Sequence, residues 1–355
     1  MATVRWSGIR LAGMWAAVPA AVGTVEDLAG RFGETEARKI AESTGVAERR
    51  LAGPTLCASD LCCEAGRNLL RDLAWAPSSV DALIFVSQTA DYALPATACC
   101  LQQRLGLASS CAAFDVSLGC SGYMYGLWLA GSLLNSGAAK RVMLLVGDTI
   151  TRLVSPFDRS AAPLFGDAGT ATALECDAGN TRSWTFALGT DGAGREHLIA
   201  PAGRLRMPSS DETRRRTERE GGNIRSDEDL FMDGAEVFAF TQRIVPKLVN
   251  GVLSDAGKTP SDIDHVVFHQ ANEFMLRFLA RKIGVPADKV ALGLKRFGNT
   301  TSPSIPLAMV TELEAALRSA PVTVLLAGFG VGWSWGAAVV EAGPLASVGL
   351  TVVEG

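Results

Sequence analysis

DHVVFHQANEFMLRFLARKIGV, residues 264 to 285, passes from a short apolar run through a histidine into an amphipathic helix pattern. The run VVF, bounded by polar residues, predicts a buried strand, and His269 stands at its carboxyl end, where α/β sheets place their sites. The same order of signals occurs earlier in the chain. DALIFVSQ from 81 is followed by LQQRLGL (101 to 107), DVSLGCSG from 115 and VMLLVGD from 142. DHVVFHQ is followed by LARKIGV (279 to 285), GLKRFGNTT from 293 and VTVLLAGFG from 322. Gly106 and Cys120 are 14 positions apart, Gly284 and Asn299 are 15. This self-similarity, at a spacing of about 180 residues, predicts an α/β protein made of two copies of one unit. Residues 1–175 form the half with Cys120 and residues 176–355 the half with His269 and Asn299, each expected to hold a largely parallel, doubly covered sheet. On that alignment Cys120 and Asn299 take equivalent corners, and Val86 is the counterpart of His269.

Composition narrows the function. The 33 Lys+Arg against 37 Asp+Glu, with a net charge of -4, offer no basic surface for nucleic acid. No apolar run reaches the roughly 18 residues a membrane helix needs. RLAGMWAAVPAAVG (10 to 23) resembles a signal peptide, but Pro19 and Gly23 interrupt it and Thr24 with Asp27 marks a helix start, so it reads as strand, loop, helix. The eight cysteines contain no CxxC pair and no metal-ligand spacing, which predicts a reduced, cytoplasmic chain without a metal site.

Chemistry concentrates at three residues. Cys120 lies between glycines where a strand hands over to the helix pattern CSGYMYGLWLAGSLLNSG. A first helical turn leaves N–H groups unpaired and carries a positive dipole end, which favours a thiolate. Gly119 and Gly122 are expected to let a substrate approach the backbone. Of the three histidines, His197 sits in a glycine-rich loop and His265 begins a strand, whereas His269 ends one. Asn299 stands in the turn-rich FGNTTSPSIP. The late GFGVGWSWG (328 to 336) lacks the GK[ST] of a phosphate loop, so it is read as a source of backbone N–H groups.

DVSLGCSG, VFHQAN, RFGNTTSPSIP and GFGVGWSWG, in this order and spacing, resemble the four motifs of β-ketoacyl-acyl-carrier-protein synthase III, a condensing enzyme of the thiolase superfamily. TGVAERR (44 to 50), FGDAGTA (165 to 171) and MDGAEVF (232 to 238) extend the likeness over nearly the whole chain. The resemblance implies a thiolase-like five-layered α-β-α-β-α fold and a homodimer. It implies that Cys120 accepts an acyl group from coenzyme A or acyl carrier protein, with the oxyanion held by the N–H groups of Cys120 and Gly332. His269 and Asn299 would then support decarboxylative condensation with a malonyl thioester. The thioesters are substrates, and no further cofactor is implied. Arg159 corresponds to an adenine contact and Phe274 to a carrier-docking position, and Asn272 is counted among the substrate-binding residues. Leu94 corresponds to a residue that caps the partner's acyl pocket.

The chain departs from the family where the adenine is sandwiched, with Lys39 and Ser43 in place of tryptophan and arginine. The charged segment 204–229 is longer than the resemblance leads one to expect, and reads as a solvated loop or a binding flap. These changes point towards a specialised secondary-metabolite or polysaccharide pathway. Two other readings follow: acyl transfer from Cys120 to an alcohol or amine, and a catalytically silent subunit of a heterodimer. A thiolase would need a second cysteine in the terminal glycine loop, which has none, and chalcone-type synthases usually run longer and carry a different terminal loop.

Overall fold

The computed structural model describes residues 2–354. Eleven strands build two sheets: β1 (Ala2–Trp6), β2 (Ile9–Pro19), β3 (Ala82–Val86), β4 (Ala112–Val116), β5 (Arg141–Asp148), β6 (Ala168–Cys176), β7 (Trp184–Thr190), β8 (His265–Phe268), β9 (Val322–Gly330), β10 (Ser334–Ala342) and β11 (Ser347–Val353). The first sheet runs β11-β2-β6-β5-β3-β4 and the second β1-β7-β10-β9-β8. Strand order repeats between the halves, since β2-β6-β5-β3 matches β7-β10-β9-β8. The counterpart of β4 shrinks in the second half to a single parallel bridge, Val266 to Val290.

Two expectations need correction. The sheets are mixed: β6 lies antiparallel to both its neighbours, as does β10. Only Val331–Trp333 separate β9 from β10, far too few residues for the crossover that a parallel pair requires. The halves also exchange their ends, because β1 edges the second sheet through β7 and β11 edges the first through β2. A cut at residue 175 therefore separates the sheets except for these terminal strands.

Helices fill the layers around the sheets. Between them lie α1 (Gly122–Asn135) and α2 (Ser304–Glu312), and the first seven residues of α2 are all buried. A helix apolar on every face belongs in such a middle layer. The helix Ala58–Asp72 covers the first sheet outside, and Gly234–Ala256 covers the second. Three apolar cores result, one between the sheets and one beneath each outer helix layer. The start of the chain follows the reading of residues 10 to 23: Thr24 caps a helix, with Asp27 completing a reciprocal capping box.

Candidate active site

Both copies end their central strands at one cavity. It is lined by Cys120, His269 and Asn299 together with Gln88, Ile150, Leu164, Leu198, Leu230, Val237, Met275, Phe329 and Val331, among others. Its walls are mostly apolar, so the few polar groups in it act in a poorly solvated space. Cys120, His269 and Asn299 are all buried, at 6%, 2% and 4% exposure.

Cys120 occupies the turn that feeds α1. Gly330 lies against it, and a Cβ there would stand 2.8 Å from Sγ. Burial pushes the thiol up to about 11, while the backbone N–H groups of Val331 and of Cys120 itself pull the other way. The expectation of a thiolate favoured by the helix end is thus reversed in the resting site, because desolvation of the charged form outweighs the nearby dipoles. The Val331 N–H favours the charged form of the sulfur, and Gly332, the amide expected for the oxyanion, lines together with Val331 a neighbouring chamber of about 550 Å³. Gly119 and Gly122, the latter opening α1, are closely packed: a Cβ at Gly119 would come 2.4 Å from the Gln88 side chain, and one at Gly122 2.7 Å from Val86.

His269 follows β8 and anchors to the sheet through its N–H, which donates to the Ala327 carbonyl. Its Nδ1 lies 2.8 Å from Ser304 Oγ at the start of α2. Burial lowers its pKa to about 3, with the Thr301 backbone acting weakly in the opposite sense, so the imidazole is neutral. The 2.8 Å contact fits either direction; the tautomer with Ser304 donating to Nδ1 is the one that leaves Nε2–H as a donor.

Asn299 is held from both halves. Its N–H donates to the Leu164 carbonyl, and its own carbonyl accepts from Gly166. Its Oδ1 accepts the Thr301 N–H at 2.9 Å, which identifies Nδ2 as the amide's free donor. Cys120, His269 and Asn299 are therefore gathered as expected from their motifs.

The remaining residues lie further out. Asn272 lines the cavity and caps the helix Glu273–Ile283 through Oδ1 to the Met275 N–H. Phe274 is 61% exposed and packs on Phe238 beside the cavity-lining Val237 and Met275. Leu94 is 83% exposed and is absent from the cavity wall of its own chain. Arg159 is exposed, with its backbone N–H bonded to Asn223 Oδ1. Segment 204–229 is exposed through Gly222 at every residue except Thr213, and it docks towards its end. Ser155 Oγ donates to the Ile224 carbonyl, and Arg225 pairs at 3.0 Å with Asp158, which is 1% exposed. A short ribbon of Thr217–Glu218 with Ile224–Arg225 runs through it. Ser304, Val331 and Asp148 were missed in the sequence. Only Asp148 left a signal there, as an acidic residue closing the apolar run VMLLVGD.

Comparison with known proteins follows from this geometry. Residues 114–192 match the family described as 3-oxoacyl-[acyl-carrier-protein] synthase III, and residues 253–342 match its C-terminal part. A β-ketoacyl-[acyl-carrier-protein] synthase III of Caldanaerobacter subterraneus subsp. tengcongensis is 34% identical over 309 residues, 87% of this chain and 90% of that protein. The crystal structure of a 3-oxoacyl-(acyl-carrier protein) synthase from Burkholderia xenovorans superposes with a TM-score of 0.94 at 45% identity, covering 99% of both chains. The priming β-ketosynthase of the R1128 polyketide biosynthetic pathway superposes with a TM-score of 0.80 at 26% identity, covering 94% of this chain and 96% of that one.

Proposed function

This chain belongs to the β-ketoacyl-acyl-carrier-protein synthase III family of condensing enzymes, and from that premise we propose a two-stage reaction through acyl-Cys120. In the first stage Cys120 attacks an acyl thioester of coenzyme A or carrier protein. The S–C bond to Cys120 forms, the carrier S–C bond breaks, and the thiol proton leaves with the departing carrier sulfur. The N–H groups of Cys120 and Gly332 hold the oxyanion of the tetrahedral intermediate.

In the second stage a malonyl thioester enters, and its thioester carbonyl accepts from His269 Nε2–H and Asn299 Nδ2–H. Loss of CO2 leaves an enolate, whose carbon attacks the acyl carbon. The Cys120 sulfur leaves and takes a proton from solvent, and a 3-oxoacyl thioester is released. A neutral histidine and an amide donate hydrogen bonds without delivering a proton that would quench the enolate, so low pKa suits the task.

The observation that carries this reading is the convergence of Cys120, His269 and Asn299 on one apolar cavity. The same convergence argues against a silent subunit. The larger chamber beyond Val331 suits the acyl chain, and in a homodimer Leu94 of each protomer would reach the other's chamber. The altered adenine positions Lys39 and Ser43 favour a specialised pathway.

The test loads purified protein with a panel of acyl-coenzyme A and acyl-carrier donors, read by intact mass, and then adds malonyl carrier. A Cys120-dependent adduct discharged with CO2 release supports condensation. An adduct that malonyl carrier leaves intact but an alcohol or amine discharges would replace condensation with acyl transfer.

A further inference from the structure

One buried charge has no part in the two stages above. Asp148 closes β5 and is fully shielded from solvent. Its Oδ1 accepts from Ser87 Oγ at 3.1 Å, the Gln88 N–H at 2.8 Å and Thr89 Oγ1 at 3.2 Å. Its Oδ2 accepts from Thr301 Oγ1 at 2.5 Å, the Ser302 N–H at 3.2 Å and Ser302 Oγ at 2.5 Å. A carboxylate is costly to bury unless its lone pairs find donors, and here six surround it. Three come from the loop after β3 in the first half, and three from the turn after Asn299 in the second. One side chain therefore ties the two copies together at the floor of the site.

The turn it holds is otherwise strained. Thr301 has φ +59, a left-handed conformation that is rare for a β-branched residue. In that conformation its N–H reaches Asn299 Oδ1 and its hydroxyl reaches Asp148.

We propose that Asp148 is a positioning residue for the condensation stage: it clamps the Thr301–Ser302 turn so that Asn299 presents its amide to the enolate oxygen. The inference rests on the condensation reading above. The same negative charge raises the pKa of the Cys120 thiol, so it opposes the first stage while serving the second. Other titratable groups around the pair are His269, Cys62 on the outer helix and Asp167. Burial pushes His269 down to about 3, the Cys62 thiol up and Asp167 up to about 6.

Asp148→Asn is nearly isosteric and removes the charge. Its decarboxylation of a malonyl thioester should fall about tenfold or more with KM little changed. The pH profile of Cys120 alkylation by iodoacetamide should meanwhile move to lower pH, an opposite change that general loosening would not produce. Thr301→Val removes the hydroxyl link and leaves the charge. It should lose decarboxylation while its alkylation profile stays in place, and it decides the matter if the first variant does not fold. Undiminished decarboxylation in the folded variants, or an equal fall in acyl loading and decarboxylation, overturns the proposal. A wild-type protein that never decarboxylates a malonyl thioester defeats the condensation reading instead. In that event the crystal structure of the variant decides the clamp: a displaced Asn299 amide supports it, and an unmoved one overturns it.

Discussion

The Cys120 corner and the His269–Asn299 corner stand on the same strand order in two copies, yet they are chemically opposite. At the first, a buried thiol is pushed up to about 11 and is met by backbone amides. At the second, two neutral side chains donate, each oriented by a neighbour: Ser304 for the histidine and Thr301 for the asparagine. Backbone amides suit an oxyanion whose position is set by a covalent bond to the protein. Side-chain donors suit a second substrate that arrives unattached. The duplication provides symmetric scaffolding, and in the proposed reaction divergence at the strand ends divides covalent from non-covalent work.

That division can be broken by substitution. Cys120→Ala should bring acyl loading down by about 10⁴-fold or more, to the mass-spectrometric background, since no other thiol stands among the described residues of the cavity wall. His269→Ala and Asn299→Ala should each lose on the order of 100-fold in decarboxylation, as for removal of an oxyanion donor, while loading stays within a few-fold. Equal losses in both half-reactions, measured by CO2 release and adduct formation, would erase the contrast between the corners.

The pH behaviour sharpens it. Cys120 is raised and His269 lowered, so neither changes charge between pH 5 and 8. Alkylation at Cys120, followed by peptide mass spectrometry, should climb about tenfold per unit from pH 7 towards 10 as the thiolate fraction grows. A plateau beginning near pH 6 or 7 would mean a thiolate–imidazolium pair and one coupled site in place of two. The smallest effect is expected from Ser304→Ala. Loss of one hydrogen bond to Nδ1 should lower decarboxylation by about fivefold to tenfold and leave loading unchanged.

Much of this was legible in the letters because it depends on local order. Strands such as DALIFVS and RVMLLVG declare themselves by apolar runs, and the duplication shows in recurring segments that need no knowledge of contacts. Cys120 and His269 stood out because each sits where a predicted strand ends, and the roles of all three residues, Asn299 included, came from the resemblance of their motifs to the family. Strand direction was less accessible. The hairpin between Gly330 and Ser334 and the antiparallel return of β6 follow from short connections and sheet closure, which periodicity does not encode.

The amino-acid sequence by itself determined the two-copy α/β plan and the identity of the three chemical groups, since residue type, periodicity and motif order are properties of the chain alone. Only the tertiary structure decided which amide faces sulfur, how the charges balance, and what holds Asn299 in place. The Val331 N–H bears on the sulfur because the direction of an N–H is set by backbone dihedrals around Gly330 and Gly332, at φ 159 and 137, and not by residue identity. The thiol rises in pKa because burial depends on everything packed around it. Asp148 finds Thr301 and Ser302, more than 150 positions away, only when the two sheets close on their shared middle layer. Through-space proximity of this kind has no local signature, and the proposed division of labour at the site rests on it.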